Sequence, residues 1–333
     1  MKGLTNTRLV VLVVFILILT ILVKLNSGKG PEPFEKQDPN EIIIKPINQD
    51  LEIKMYDHRK GQLVTMALED YLVGVIAGEM PASYELEALK AQAVAARTRT
   101  ISQMKSFGGR GCDKAQGADI CSSYAHCQEW VSKETMEKNW ASDYEKYLSR
   151  VQEAVYSTRG EVMTYQGEPI EVFYYSTSNG KTEDAGEVFS HSLPYYQVVE
   201  STGEEDAPRF YDSVSFSNKE FAKIFEKNYK TKLDPNKLAS QVKIRSYTES
   251  GRVKTISLAG VTLKSTDFRM MYGLNSTDFT LEFGKDSVTI KTKGFGHGVG
   301  MSQVGADRMA KRGSDYKQIL KHYYRGVSIG SYQ

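Results

Sequence analysis

The chain has 333 residues, of which 40% are hydrophobic and 25% are charged, and its 43 Lys and Arg against 41 Asp and Glu give a formal net charge of +2. These averages are typical of a globular protein and exclude a disordered chain, a collagen-like chain and a membrane protein with many spans. Because the near-neutral charge provides no basic surface for phosphates, we expect no nucleic-acid partner.

An apolar segment near the N-terminus predicts export of the chain. Residues 9–23 are apolar except for Thr20. A spanning helix needs about 20 apolar residues and the core of a signal peptide about 7–15, so the length admits an uncleaved anchor or a cleaved signal. Since no small-x-small cleavage site follows, we favour a transmembrane anchor over residues 9–25, with a short cytoplasmic segment at residues 1–8.

The remainder divides into a linker and one exported domain. Residues 26–40 are polar and contain Pro31, Pro33 and Pro39, as expected of a semi-stiff spacer. Residues 41–333 contain no internal repeat and form the working domain. Because only a few residues precede the anchor, this domain is the part that must lie outside the cytoplasm.

Hydrophobic periodicity and turn residues predict the elements of this domain. The predicted strands are, in chain order, 42–45, 52–56, 62–66, 161–165, 170–176, 197–200, 242–247 and 252–258. Predicted helices cover 68–80, a stretch from a cap at Ser83 to about 104, 132–158, and a stretch from the end of the Gly-rich loop 294–300 to 324. Helices cluster early and strands later, which predicts an α+β fold with mixed helices and antiparallel strands around a substrate cleft.

Glu79 is the first candidate for chemistry. Pro81 disfavours helical conformation in the residue before it, so the helix over 68–80 should end at Glu79 or Met80. At that end the helix dipole disfavours a carboxylate, and the neighbours Ile76 and Met80 are apolar. Both effects favour the protonated form that a general acid requires, although a surface acid at a helix end explains the same pattern.

Arg97 is the second candidate, because it shares one face of the next predicted helix with Lys90 and Ala93. A solvated helix face explains these two cations equally well.

Three sequence blocks together are more specific than any single residue. They are residues 71–98 with Gly-Glu-Met-Pro at 78–81, residues 175–182 followed by 187–189, and the Gly-rich segment 294–306 with Gly-Phe-Gly-His-Gly-Val-Gly at 294–300. In this order, and behind a predicted anchor, they resemble the stage II sporulation protein D family of membrane-anchored lytic transglycosylases. The resemblance covers essentially the whole exported domain.

The resemblance implies cleavage of the bond between N-acetylmuramic acid (MurNAc) and N-acetylglucosamine (GlcNAc) in peptidoglycan, preferably on denuded strands, leaving a 1,6-anhydro end. Glu79 matches the family's catalytic acid, which protonates the leaving oxygen and then accepts the proton of the C6 hydroxyl. This reaction needs one carboxyl group, whereas ordinary glycoside hydrolases need two. The sequence offers Glu79 and no obvious second acid.

The family resemblance also implies substrate contacts. Arg97 and Lys181 match family positions linked to activity, and as cations they could hold substrate oxygens. Ser178 lies in the same turn as Lys181 and could donate a hydrogen bond to sugar.

The Gly-rich segment 294–306 adds His297, Ser302 and Gln303 as groups that could line a sugar cleft. An imidazole of His297 that only braces the loop is an equally open interpretation. The segment fits neither a P-loop nor a dinucleotide-binding loop, because no Gly-Lys-Ser/Thr follows it and its glycine spacing is wrong.

A cysteine-rich loop forms a further candidate site. Cys112, Cys121 and Cys127 fall within sixteen residues, and His126 stands beside the last. One disulfide would leave a free thiol, whereas a structural zinc would use all three, with His126, a water or an acid as the fourth ligand. We favour zinc as a local staple, and expect catalysis itself to require no cofactor.

The resemblance places the domain outside the cytoplasm on the membrane that engulfs the forespore of a spore-forming bacterium. Its implied partners are peptidoglycan strands, the membrane, a sporulation amidase and a membrane protein that localises both. Two alternatives remain open: a non-catalytic, cell-wall-binding amidase enhancer, and a structural scaffold that would leave Glu79 and the Gly-rich loop without a role.

Overall fold

The computed structural model describes residues 51–189 and 191–331. These residues belong to one compact unit. The predicted anchor, the linker and the first predicted strand lie outside the described residues. Among the residues that are described, no helix is long and apolar enough to cross a membrane.

The described chain contains short strands and helices of one to five turns. The α-helices are α1 (Leu68–Glu79), α2 (Leu86–Gln103), α3 (Lys133–Trp140), α4 (Tyr144–Ser157), α5 (Ala185–Val188), α6 (Asn218–Asn228), α7 (Leu238–Gln241), α8 (Ser265–Tyr272), α9 (Gln303–Lys311) and α10 (Tyr316–Tyr323). The strands are β1 (Glu52–Asp57), β2 (Gln62–Ala67), β3 (Ile120–Cys121), β4 (Glu161–Tyr165), β5 (Glu168–Pro169), β6 (Tyr174–Tyr175), β7 (Gly180–Lys181), β8 (Glu200–Ser201), β9 (Tyr211–Ser217), β10 (Val242–Tyr247), β11 (Val253–Leu258), β12 (Val261–Lys264), β13 (Phe279–Phe283), β14 (Ser287–Lys293), β15 (Met301–Ser302) and β16 (Ser328–Ser331).

Helix α2 is the centre of the main core. It contacts α1, α4, α9, α10 and strand β4. Its alanines favour helix and let neighbouring elements approach closely from every side, so the helix is buried on nearly all faces instead of along one stripe. The helix therefore holds the elements before and after it in fixed positions.

Residues 210–290 form a second hydrophobic core. Two antiparallel three-stranded sheets, in the orders β13-β14-β9 and β10-β11-β12, pack with α6 and α8 around Phe221, Phe225 and Phe268. The main core resumes at Val299. This second lobe is thus inserted into the sequence of the main core, and the α+β prediction with mostly antiparallel pairing is confirmed.

Several predicted boundaries differ from those observed. Helix α1 ends at Glu79 as predicted, but Ser83 is not the cap of α2, whose N-cap is Glu85 without a side-chain hydrogen bond. The predicted helix over 132–158 is two helices, because the chain turns at Ala141 with a φ of 45°.

The predicted strand over 170–176 shrinks to Tyr174–Tyr175, and the C-terminal helix is likewise divided, with Gly313 at a φ of 92° between α9 and α10. In both divided helices the helical spacing of apolar residues continues across the break, so the sequence pattern does not reveal the change of backbone conformation at Ala141 or Gly313.

Candidate active site

A cavity of about 410 Å³ opens at the C-terminal end of α1. Its wall is formed by the ends of α1 and α2, the end of the cysteine-rich loop and the residues just after it, the chain around β6, α8, the Gly-rich loop and the start of α9. The lining residues are Gly78, Glu79, Arg99, Tyr124, Cys127, Glu129, Phe173, Tyr174, Tyr175, Ser176, Arg269, Phe295, Gly296, His297 and Gln303. The cavity thus brings together four of the predicted site residues, namely Glu79, His297, Gln303 and the predicted metal ligand Cys127.

Glu79 is held by two hydrogen bonds and remains half-buried. Its Oε1 accepts from the backbone N–H of Glu129 at 2.7 Å, and its Oε2 accepts from Nε2 of Gln303 at 3.3 Å. Burial raises the pKa of Glu79 to about 7, although these hydrogen bonds and the charge of Arg99 act in the opposite direction. Near neutral pH the group is therefore present in both forms, which suits a carboxyl that must donate and then accept a proton.

The Gly-rich loop packs tightly on the chain around β6. A Cβ at Gly296 would stand 2.7 Å from Cβ of Tyr175, and one at Gly300 only 2.0 Å from the carbonyl oxygen of Phe173. Both glycines also have φ in the left-handed region, at 122° and 77°. Only glycine satisfies both requirements, so the loop can carry His297 to the cavity wall.

His297 is a neutral ring that both braces the loop and lines the cavity. Its Nδ1 accepts from the backbone N–H of Val299 at 3.1 Å, which assigns the proton of the neutral ring to Nε2. Burial, together with the charges of Arg269 and Arg99, lowers the pKa of His297 to about 3. The bracing interpretation and the cavity-wall interpretation therefore both describe this residue.

Ser178 and Ser302 lie outside the cavity and are fully buried. Ser302 donates from Oγ to Oε2 of Glu204 at 2.7 Å, and the backbone N–H of Ser178 donates to the same oxygen at 2.8 Å. Oγ of Ser178 donates to the carbonyl oxygen of Lys181 at 2.9 Å. Both hydroxyls are thus used within the protein, where they fix the two segments next to the cavity.

Arg97 and Lys181 also lie outside the cavity. The guanidinium of Arg97 is completely buried and grips the carboxylate of Glu69 with Nε at 3.0 Å and Nη2 at 2.6 Å. Its remaining donors reach the carbonyls of Val155 and Glu161 and the hydroxyl of Thr158, which commits Arg97 to the core. Lys181 is exposed, with Nζ 3.3 Å from Oε1 of Glu200.

The sequence did not single out the two arginines of the cavity. Arg99 stands two positions after Arg97, on nearly the opposite side of helix α2, and Arg269 comes from the second lobe, which contributes to none of the three sequence blocks. The aromatic residues of the cavity wall were not predicted either, because the strand pattern around Tyr174 does not indicate which rings face the cavity.

The cysteine-rich loop converges on one point. Nδ1 of His126 lies 3.5 Å from Sγ of Cys112, 3.5 Å from Sγ of Cys121 and 3.1 Å from Sγ of Cys127. A tetrahedral zinc centre separates its ligand atoms by about 3.5–3.8 Å, from Zn–S and Zn–N bonds of about 2.3 and 2.0 Å. The other ring nitrogen of His126 lies 2.6 Å from a carboxylate oxygen of Asp113, as in a carboxylate–histidine–zinc arrangement. The donor set therefore fits zinc.

The loop is also part of the cavity, which the sequence did not indicate. Cys127 lines the cavity, and Glu129, two residues later, donates the backbone N–H that holds Glu79. The carboxylate of Glu129 is paired with the guanidinium of Arg59. Whatever fixes the cysteine-rich loop thus also fixes the orientation of Glu79.

Comparison with known proteins gives consistent matches. Residues 56–165 match the family model described as stage II sporulation protein. The chain is 35% identical to stage II sporulation protein D of Bacillus subtilis, over 99% of this chain and 96% of that protein, and 36% identical to stage II sporulation protein D of Bacillus amyloliquefaciens, over 92% and 83%. It is also 29% identical to the amidase enhancer of Bacillus subtilis, over 94% of this chain and 50% of that protein.

Proposed function

This chain belongs to the stage II sporulation protein D family, and from that premise we propose that it is a peptidoglycan lytic transglycosylase that acts in engulfment during endospore formation. The observation that carries the proposal is the Glu79 carboxyl, whose pKa is raised to about 7 and which faces a cavity lined by aromatic rings and cations. Phe173, Tyr174 and Phe295 contribute apolar surface to this wall, against which sugar rings can pack, although one face of Phe173 is stacked on Phe189 and Arg209 lies over the ring of Phe295.

The proposed reaction uses Glu79 twice. As an acid, Glu79 protonates the oxygen between C1 of MurNAc and C4 of GlcNAc, and the bond from C1 to that oxygen breaks. The C6 hydroxyl oxygen of the same MurNAc then bonds to C1, and its proton passes to the Glu79 carboxylate. No water is consumed, and the acid is restored for the next cleavage.

The hydrogen bonds to Glu79 support this double role. The N–H of Glu129 and the amide of Gln303 each hold one carboxyl oxygen, so the group keeps its orientation while its charge changes. Glu129 is the other acid in the cavity wall, but its carboxylate is engaged by Arg59. Because that pairing uses the Glu129 carboxylate within the protein, we assign Glu129 a structural role and not that of a second catalytic acid.

We include a structural zinc in this proposal, held by Cys112, Cys121, Cys127 and His126. Zinc would close the loop that presents the Glu129 N–H to Glu79, and it would take no part in the reaction itself. One disulfide with a free thiol is the alternative; the three cysteines are free in the structure.

The remaining parts of the proposal rest on family membership. They are an anchor at residues 9–25, a working domain from residue 41 outside the cytoplasm, denuded glycan strands as the preferred substrate, and a sporulation amidase and a membrane protein as partners. Arg97, Ser178 and Ser302 enter the proposal as residues that hold the fold around the cavity, because their polar groups are used within the protein. Lys181, an exposed cation paired with Glu200 outside the cavity, enters it as a substrate contact implied by the family.

The test compares the full-length protein in detergent with Glu79→Gln and Glu129→Gln variants on denuded glycan strands, with products read by mass spectrometry. We expect 1,6-anhydro ends from the parent and from Glu129→Gln, and none from Glu79→Gln. Hydrated reducing ends that disappear in both variants would instead indicate a hydrolase with two carboxyl groups.

The likeness to an amidase enhancer supports a second candidate, a binding protein that stimulates an amidase. This function needs strand binding but no acid. If the parent protein binds denuded strands, releases no sugar and accelerates an added amidase as well as Glu79→Gln does, the enhancer function replaces the transglycosylase.

A further inference from the structure

Two arginines in the cavity have no acidic partner among the residues that the structure describes. Arg99 projects from the last turns of α2, and Arg269 from α8 in the second lobe, and both line the same 410 Å³ space. Both lower the pKa of His297, so both charges act on the same ring of the cavity wall. The site is therefore positively charged, and the neutral His297 does nothing to offset that charge.

Arg99 is held by the protein through only part of its guanidinium. Nη1 donates to the carbonyl oxygen of Val172 at 2.6 Å, and the guanidinium carbon lies 5.6 Å from the centre of the Phe173 ring. Nε is buried without a hydrogen-bond acceptor in the described part of the chain. A buried donor of a charged group lowers the stability of the fold when it has no acceptor, and a ligand that supplies the acceptor removes this loss.

Arg269 is also held by the protein through only part of its guanidinium, here through Nε. Its Nε donates to the carbonyl oxygen of Leu274 at 3.1 Å, which fixes the side chain while the described residues provide no carboxylate for the rest of the guanidinium. Burial and the charge of Arg252 lower the pKa of Arg269, which signals an uncompensated cation. The charge of Arg99 acts on Glu79, but Glu79, with a pKa raised to about 7, is only partly ionised at neutral pH.

The chemistry of the proposed substrate supplies a matching anion. In a denuded glycan strand the one ionised group of each disaccharide is the carboxylate of the lactyl ether on MurNAc. A guanidinium binds a carboxylate through paired, charge-assisted hydrogen bonds. A stem peptide converts this carboxylate into a neutral amide, and a strand of GlcNAc alone lacks it.

We propose that Arg99 and Arg269 form an anion site for the free lactyl carboxylate of MurNAc, which selects strands without stem peptides. The inference rests on the proposed function for the identity of the strand. The site orients the sugar whose C1 and C6 hydroxyl react near Glu79, so Arg99 and Arg269 act as determinants of specificity.

The binding test uses the full-length Glu79→Gln protein in detergent, so that no turnover interferes. Three oligosaccharides of equal length serve as probes: GlcNAc–MurNAc repeats with free carboxylates, the same repeats with the carboxylates converted to methylamides, and GlcNAc alone. We expect the carboxylate form to bind at least about tenfold more tightly than the other two, with a preference that weakens as salt is added.

The variants Arg269→Gln and Arg99→Gln, each in the Glu79→Gln background, should lose this preference and bind all three probes alike. Arg245→Gln is the matched control, because Arg245 is an exposed arginine of the second lobe outside the cavity. Arg269→Lys guards against misfolding, since it keeps the charge and should retain part of the preference. Equal binding of carboxylate and methylamide by the Glu79→Gln protein would overturn the anion site.

Failure of the anion site and failure of the proposed function give different results. If the parent protein cleaves carboxylate and methylamide strands at the same rate, the anion site is wrong and the transglycosylase stands. If the parent cleaves neither strand while the carboxylate preference persists in binding, the anion site stands and the transglycosylase is wrong.

Discussion

Two glutamates of this molecule, Glu79 and Glu204, have the same raised pKa in very different surroundings. Burial raises the pKa of Glu79 and of Glu204 to about 7 in each case. Glu204 is only 1% exposed, and it accepts hydrogen bonds from the hydroxyls of Ser201 and Ser302 and from the N–H of Ser178. Glu79 is half-buried, and faces the cavity.

The difference shows that a raised pKa does not by itself identify a catalytic acid. Around Glu204 every donor is used, and no substrate atom can reach the carboxyl. Around Glu79 the wall holds aromatic rings and arginines whose donors are not exhausted by the protein. The two regions are nevertheless connected, because Ser302 caps helix α9, whose first residue Gln303 holds Glu79.

The largest contrast between the two acids should come from their glutamine variants in a cleavage assay. Glu79→Gln removes the transferable proton and should lower the release of anhydro products by about 10³-fold or more, without loss of fold. Glu204→Gln should lower it less than about tenfold, since Glu204 acts only by positioning. Product release is measured by mass spectrometry, with circular dichroism as the check on fold. Equal losses of cleavage activity in the two variants would contradict the assignment of Glu79 alone as the catalytic acid.

Removal of zinc should disturb the hydrogen bond from Glu129 to Glu79 and leave the hydrogen bonds to Glu204 intact. We expect one zinc per chain by elemental analysis, and a fall of about 10-fold or more in cleavage after chelation, because the loop that presents the Glu129 N–H loosens. Added zinc should restore the rate. A protein that carries no metal, keeps full activity in chelator and shows one disulfide by mass mapping would contradict this expectation.

Glu204→Gln should instead cost stability. Its amide nitrogen would face one of the donors that now meet a carboxyl oxygen, so we expect a loss of about 1–3 kcal/mol in the free energy of unfolding, measured by denaturant titration. The unrelated variant Glu282→Gln, at an exposed position of strand β13, serves as the control and should change little. An unchanged midpoint for Glu204→Gln would show that the hydrogen bonds to Glu204 do not stabilise the fold.

The smallest effect should be a pH-dependent gain in stability in Glu79→Gln. The folded-state pKa of Glu79 lies near 7, above the usual carboxyl value of 4.5, so the native state loses stability as pH rises from about 4.5 to 7. Glutamine avoids that loss. The full shift corresponds to about 3 kcal/mol, and the partial exposure of Glu79 reduces this. The variant should therefore match the parent at pH 4 and exceed it by about 1 kcal/mol at pH 8, measured by thermal unfolding at both pH values. A gain at pH 4 that vanishes at pH 8 would contradict the raised pKa.

Local features of the site could be predicted from the sequence, whereas features that depend on distant contacts could not. The end of α1 at Glu79 follows from Pro81 two positions on, and the observed helix agrees. Arg97 and Arg99 lie two residues apart, so their side chains leave α2 on nearly opposite sides, and only the packing of α4 and β4 decides which one is buried.

Ser178 and Ser302 illustrate the same limit. Their partner Glu204 is 26 residues away in one direction and 98 in the other, and no pattern of the sequence connects them. The cysteine-rich loop was predictable only in part. Its donor set was predicted from composition, but the convergence of His126 with its neighbour Cys127, and the contact of Glu129 with Glu79, depend on how the loop folds.

The most direct test of the central claim is cleavage of denuded glycan strands by the full-length protein in water enriched in oxygen-18. We expect product ends that are one water lighter than a reducing sugar and free of label, because the C6 hydroxyl of the substrate and not water attacks C1. Reducing ends that carry oxygen-18 would contradict it, and would show that Glu79 works with water as a hydrolase.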